Sequence, residues 1–106
     1  MTSENEPRPI ATRTLTRADG AEVLAALFAP AAVDEETFEC RFEITGLSEA
    51  EPLLEARVLG ADSIHALVSA LELMGRALRR RGGDGLRFLD FPPDHGLPSA
   101  RAETAS

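Results

Sequence analysis

The sequence predicts an α+β fold: a four-stranded antiparallel meander covered on one face by a C-terminal amphipathic helix, followed by a short extended segment. Two observations support this prediction. Apolar and polar residues alternate over much of the first 60 positions, and after Gly60 the apolar residues recur every three or four positions. Alternation is typical of strands with one buried face, and the longer period is typical of a helix. A one-faced sheet and a one-faced helix bury each other in two layers.

The first two predicted strands are joined by a tight turn. β-branched residues at every second position from Ile10 to Thr16 predict a strand. Asp19-Gly20 is a hairpin signal, because glycine accepts a positive φ. The segment Ala21 to Pro30 is ambiguous, since its alanines and leucines favour a helix while its place after the turn favours a return strand. We predict a strand.

The third and fourth strands alternate most clearly. Between Glu36 and Thr45, apolar side chains occupy every second position, which predicts one buried and one solvated face. The chain turns between Gly46 and Pro52, and Leu54, Ala56 and Val58 then continue the alternation. These two segments are therefore predicted to be antiparallel neighbours.

The most regular segment of the chain is a predicted helix after Gly60. Asp62 is expected to cap its N-terminus, Arg79–Arg81 lie where the helix dipole favours cations, and Gly82-Gly83 ends it. The predicted buried stripe consists of Ile64, Leu67, Val68, Leu71, Met74 and Leu78. The predicted solvent-facing side carries His65, Ser69, Glu72 and Arg76.

The remaining segments set the expected domain limits. After the helix, apolar residues stand among three prolines and predict a short extended segment at the edge of the core: Leu86, Phe88, Leu89 and Phe91. Residues 9–98 are expected to form a single domain, which is a sufficient length for one core. Residues 1–8 and 99–106 are polar and without periodicity, and we expect them to be disordered tails.

Composition excludes several classes of function. A formal net charge of −7 argues against nucleic-acid binding, because the chain repels phosphates. No apolar run reaches the roughly 20 residues of a membrane span, and the first residues lack a secretory signal pattern, so we expect a cytoplasmic protein without membrane contact. The single cysteine, Cys40, rules out an internal disulfide and a four-cysteine zinc site. The absence of lysine removes Schiff-base chemistry.

The titratable residues predict no catalytic, cofactor-binding or metal site. His65 has no histidine or carboxylate one helical turn later, and His95 lies in a segment rich in proline and glycine. Cys40 lies on the apolar face of its strand, where burial suppresses thiol reactivity. We therefore interpret the histidines as solvated and the cysteine as part of the core.

Two charged segments also have structural interpretations. Arg79 to Gly85 lacks the ending of a phosphate loop and follows a helix C-terminus, where the dipole repels phosphate. A general acid requires a carboxylate in an apolar pocket, whereas the clustered acids suggest a solvated or partner-facing surface. Those acids are Asp34, Glu35, Glu36, Glu39 and Glu43.

The helix and the segments around it resemble a family of small uncharacterised bacterial proteins classified as a domain of unknown function. The resemblance covers about residues 10–98 and includes a Gly-x-Asp-x-x-x-Ala-Leu helix start. It is carried by Cys40, Gly60, Asp62, Ala66, Leu67, Ala70, Leu71, Leu78, Gly96 and Pro98. It implies the four-strand and helix layout and brings no reaction, ligand or catalytic residue.

The sequence therefore predicts a non-catalytic interaction module, either immunity-like or an adaptor, that binds a protein partner or forms a homo-oligomer. The acidic N-terminal half and a sheet with free edges support this prediction. The alternative is a small-molecule-binding domain with an apolar pocket between helix and sheet. An enzyme would require His65, His95 or the acids to converge on one cleft.

Overall fold

The computed structural model describes residues 8–82, 86 and 87. It shows an antiparallel sheet with one helix, which confirms the predicted α+β class. The elements are β1 (Pro9–Thr16), β2 (Glu22–Phe28), β3 (Ala31–Ala32), β4 (Phe38–Thr45), β5 (Leu53–Gly60) and α1 (Ser63–Gly82). Within this described part, the structure contains no helix with the length and hydropathy that a bilayer span requires.

The strands form the predicted meander, with one addition. β1 pairs with β2, β2 with β4, and β4 with β5, all antiparallel. The segment Ala21 to Pro30 forms a strand, as predicted. The sheet has five strands instead of four, because the two-residue β3 pairs with the start of β4 beyond the end of β2. Pro30 separates β2 from β3, since proline has no N–H to donate to the ladder.

Two glycines close the turns that bring these strands together. Gly20 has a φ of 90°, and Asp19 Oδ1 accepts a hydrogen bond from the Ala21 N–H at 3.0 Å, so the predicted Asp-Gly turn is confirmed. Gly46 has a φ of 89°, and a Cβ at this position would lie 2.6 Å from the Glu22 carbonyl oxygen. Both turns therefore depend on the absence of a side chain.

The core lies between one face of the sheet, here called the inner face, and α1. The helix packs mainly over β4 and β5 and barely reaches β2. The buried residues of the inner face include Leu15, Val23, Ala25, Leu27, Cys40, Phe42 and Ile44. Those contributed by the helix are Ala66, Ala70, Met74 and Leu78. The opposite face of the sheet carries no helix and is called the outer face.

The predicted buried stripe of the helix is wrong in the first turns of α1. Ile64 is 71% exposed and Val68 is 37% exposed, whereas Ala66 and Ala70 are fully buried. The cause is the close approach between the helix and the end of β5, where a Cβ on Gly60 would lie 2.3 Å from the Ala66 nitrogen. Small side chains permit this approach, and the helix turns its alanines toward the sheet.

The predicted extended segment begins as expected. Leu86 is buried, and Arg87 forms two backbone hydrogen bonds with Thr16, of 2.8 and 2.9 Å. The rest of that segment, from Phe88 onward, lies outside the described residues. So do the predicted tails except for Arg8, and the domain limits remain a prediction.

Candidate interaction surface

His65, which the sequence analysis interprets as a solvated residue, completes the N-terminal cap of α1. Asp62 Oδ1 accepts a hydrogen bond from the His65 N–H at 2.7 Å, which confirms the predicted cap. The His65 ring Nδ1 accepts one from the Ala61 N–H at 2.9 Å. The pair is a variant of the capping box in which histidine replaces glutamate and binds the N–H of Ala61, one residue before the cap, instead of the N–H of Asp62. The signal was available in the sequence, because His65 stands three residues after Asp62.

The described structure contains no cluster of metal-ligating side chains around His65. His95 lies outside the described residues, and in the described part of the chain no three His, Cys, Asp or Glu side chains form a group that could hold a metal ion. Asp34 and Glu36 lie in an exposed loop, where Asp34 Oδ1 accepts the Glu36 N–H at 2.8 Å. This bond orders a turn and does not create an apolar pocket for an acid.

Cys40 lies fully buried on the inner face of β4, as predicted from the alternation. Its Sγ donates a hydrogen bond to the Phe28 carbonyl oxygen at 3.2 Å. Burial raises the pKa of the Cys40 thiol. The reactive thiolate is therefore disfavoured, and the arrangement suits a core residue better than a nucleophile.

The outer face of β4 and β5 carries a ladder of charges of both signs. Residues of like charge lie directly opposite each other, Arg41 with Arg57 and Glu43 with Glu55, and the ion pairs run diagonally or along one strand. Arg41 forms ion pairs with Glu43 and, at 2.9 Å, with Glu55. Its guanidinium carbon also lies 3.9 Å from the centroid of the Phe28 ring, which gives a cation–π contact. These contacts place Glu43 on the solvated face that its alternation predicted. They also give it a cation partner, so it does not belong to a cluster of uncompensated acids.

Two further ion pairs involve residues near this ladder. Arg57 pairs with Glu39 at 3.3 Å, and 64% of the Arg57 side chain is exposed. Arg81, in the last turn of α1, pairs with Glu51 in the loop before β5. The charges around β5 are therefore mixed in sign.

The free edge of β5 is the least protected part of this surface. We call it the β5 edge, meaning the backbone edge of Leu53–Gly60 remote from β4. β5 pairs with β4 without a bulge over all eight residues, and no other strand among the described residues pairs with it. Leu53 and Leu59 project from the outer face and are 50% and 59% exposed. Edge strands usually carry a proline, a bulge or a cover, and this strand has none of these within the described structure.

A small groove lies on the inner face, on the side of α1 away from β5. It has a volume of about 140 Å³. Its lining consists of Ala11, Thr12, Arg13, Ala25, Leu27, Leu71 and Met74. The groove exists because the helix sits over β4 and β5 and leaves part of β1 and β2 uncovered. Its volume is below the range of typical ligand sites.

A comparison with protein-family models gives one match. It covers residues 11–99, and the matching family is described as a domain of unknown function, DUF6968. The match agrees with the kind of family and the extent that the sequence suggested. It does not bear on the bacterial origin or on the helix-start motif. Searches of curated proteins and of solved structures returned no match.

Proposed function

Because the chain belongs to the family described as a domain of unknown function, DUF6968, and that description names no activity, we propose from its own surface that it is a non-catalytic protein–protein interaction module. The binding site is the β5 edge. The observation that supports this proposal is the long and regular edge of Leu53–Gly60, which pairs with no further strand among the described residues and carries two exposed leucines. An adaptor or an immunity-like protein would use such a surface.

Strand addition is the binding mode that the β5 edge favours. An added strand gains backbone hydrogen bonds to the outward-facing N–H and C=O groups of β5, and pockets or contacts for alternate side chains supply specificity. Leu53 and Leu59 lie roughly 20 Å apart at 3.3 Å per residue, one near each end of the strand. They can anchor the two ends of a partner strand, and Glu55 and Arg57 can select its charges.

Charge adds a second expectation about the partner. The protein has a formal net charge of −7, so a heterologous partner would be basic and the complex would weaken as salt increases. The formation of a strand ladder is less sensitive to salt. A complex that uses both should therefore weaken, but not disappear, at high ionic strength.

Site-specific photo-crosslinking in cells that make the protein tests this proposal. A photoreactive residue replaces Leu59 in one variant and Leu24 in a control variant. Leu24 is 43% exposed but belongs to β2, away from the β5 edge. We expect a discrete protein adduct from position 59 and none from position 24. Equal adducts from both positions, or no adduct from position 59, would contradict the proposal.

The groove beside α1 favours a second candidate function, the binding of a small apolar molecule. Its volume of about 140 Å³ is close to that of the engineered apolar cavity of about 150 Å³ that binds benzene in another protein. A thermal-shift screen with small apolar compounds tests this function, with Ala11→Leu as the variant that fills the groove from its rim. A rise in melting temperature that Ala11→Leu abolishes would support the function, and the absence of any rise would refute it.

A further inference from the structure

We infer that the β5 edge pairs with the β5 edge of a second copy of this chain, antiparallel about a twofold axis at Ala56. The inference rests on the proposed function and names the partner. It follows from the order of residues along β5, which reads Leu-Leu-Glu-Ala-Arg-Val-Leu-Gly from Leu53 to Gly60. This order is self-complementary about its central alanine.

Antiparallel pairing about Ala56 sets every side chain opposite a suitable one. Glu55 lies opposite the Arg57 of the second copy, and Arg57 lies opposite its Glu55. Leu53 lies opposite the second copy's Leu59, and Leu54 opposite its Val58. Opposite charges and apolar pairs directly across an antiparallel ladder are each stabilising. The twofold axis repeats each of these pairs on its other side, whereas Ala56 lies opposite the Ala56 of the second copy only once.

Neighbouring registers are disfavoured by the same charges. Side chains alternate between the two faces, and two residues directly opposite each other must lie on the same face. The twofold axis therefore passes through a residue, which lies opposite the same residue of the second copy. An axis at Glu55 would place two carboxylates opposite each other. An axis at Arg57 would oppose two guanidinium groups, and directly opposed like charges are destabilising. Ala56 is thus the axis at which the charges attract and the whole strand overlaps.

The exposure of the outer-face side chains agrees with this pairing. Arg57 and Glu55 keep 64% and 39% of their side chains exposed, so both can reach across the axis. Leu53 and Leu59 are half-exposed in the single chain and would cover each other in the pair. The pairing therefore accounts for two exposed leucines on a strand whose other outer-face residues, Glu55 and Arg57, are charged.

The helix layer adds an apolar contact near the same junction. Leu71 lines the groove on the β1–β2 side of α1. Leu73 lies two residues later, about 200° around the helix at 3.6 residues per turn, and therefore on the β5 side. Leu73 is 36% exposed. A twofold axis perpendicular to the sheet keeps both helices on one face, so Leu73 of each copy would lie beside the junction.

Charge reversal in the full chain tests the inference, with mass measured by light scattering during size-exclusion chromatography. We expect the unaltered protein to have twice the 11.4 kDa mass of one chain and to dissociate on dilution. Glu55→Arg alone and Arg57→Glu alone would each oppose like charges across the axis, and each variant should be monomeric. An equimolar mixture of these two variants should form a heterodimer, because each supplies the charge that the other lacks.

The double variant Glu55→Arg/Arg57→Glu separates pairing between chains from effects within one chain. Within one chain, Glu55 pairs diagonally with Arg41 but lies opposite Glu43, and Arg57 pairs diagonally with Glu39 but lies opposite Arg41, so each reversal exchanges an attraction for a repulsion and a repulsion for an attraction. These internal contacts give the double variant no reason to regain a dimer that both single variants lose. Pairing about Ala56 predicts a restored dimer, because the charges across the axis are again opposite.

An apolar variant covers the case in which charge reversal prevents folding. Leu59→Gln should weaken the dimer at least tenfold while circular dichroism shows an unchanged fold, and Leu24→Gln should leave the dimer intact. Monomeric unaltered protein at high micromolar concentration would overturn the inference. If position 59 then still crosslinks to another protein, the proposed interaction function is retained and only the pairing of two copies is refuted. If position 59 crosslinks to no protein, the proposed function and the pairing are both refuted.

Discussion

Gly60→Ala is expected to destabilise the protein by disturbing the junction between β5 and α1. Gly60 is buried, and an added Cβ would lie 2.3 Å from the Ala66 nitrogen, 2.7 Å from the Ala66 Cα and 2.8 Å from the His65 carbonyl carbon. All three atoms belong to the backbone, so no side chain can rotate away. The first helical turn must therefore move by about 1 Å to restore ordinary contact distances.

The expected cost combines two effects. Forcing an extra methyl group into a packed core costs about 1–3 kcal/mol. Moving the first turn also strains the hydrogen bond between Asp62 and the His65 N–H, and the loss of an N-cap costs about 1 kcal/mol. The free energy of unfolding should therefore fall by about 2–4 kcal/mol. This loss is a large fraction of the free energy of unfolding of a typical protein, which is about 5–15 kcal/mol.

Urea unfolding followed by circular dichroism at one fixed protein concentration measures this loss. Gly20→Ala is the matched control, because Gly20 has a positive φ but an added Cβ would meet nothing within 4 Å. Backbone strain alone should cost that variant about 1 kcal/mol. If Gly60→Ala loses no more stability than Gly20→Ala, the close approach of helix and strand does not govern the packing, and the reasoning is refuted.

Three further perturbations test other contacts. His65→Ala should lose about 1 kcal/mol in urea unfolding through the unpaired Ala61 N–H, and His65→Gln, which keeps an acceptor, should recover part of it; equal losses would contradict the cap. Cys40 should react with a thiol reagent in urea but not in the native protein. Because folding raises the pKa of this thiol, its contribution to stability is present below the unfolded pKa and is lost as pH rises through the folded pKa. Cys40→Ala should remove this loss of stability at alkaline pH, and an unchanged dependence of stability on pH would contradict the argument. Arg41→Ala should cost about 1–2 kcal/mol by removing the cation–π contact with Phe28 and the ion pairs, and a neutral effect on the melting temperature would show that this contact is solvated.

The strands could be predicted from the sequence because one face of the sheet is buried. In β4, each inward residue is apolar and each outward residue is polar, so the pattern is unmistakable. The Asp19-Gly20 turn settled the assignment of the ambiguous segment Ala21 to Pro30. β3 could not be predicted, since two residues, Ala31 and Ala32, cannot show an alternation.

The orientation of the helix could not be predicted from its own residues. Hydrophobicity favours Ile64 and Val68 as core residues over Ala66 and Ala70. The structure reverses this order, because Gly60 brings the helix backbone so close to β5 that alanine fits and larger side chains do not. The orientation depends on a contact between two elements, and a hydrophobic period within one element carries no information about it.

The sequence predicted that the sheet has a free edge for binding, but not which strand provides it. The sequence indicates a sheet with free edges, but strand order decides which edges are free, and that order comes from the pairing of β4 with β5. The self-complementary arrangement around Ala56 is visible in the sequence. It indicates a contact between two copies only because the structure shows that the β5 edge pairs with no described strand.

The central claim is that the β5 edge is the binding surface. Amide hydrogen exchange tests it most directly, by comparing the dimer at high concentration with the single chain after dilution. In an antiparallel strand, alternate N–H groups point toward each neighbour, so half of the β5 amides have no partner on the side away from β4. We predict that these amides become protected on assembly while the amides of β1 do not change. Equal exchange of the β5 amides in both states, or new protection confined to β1, would contradict the account.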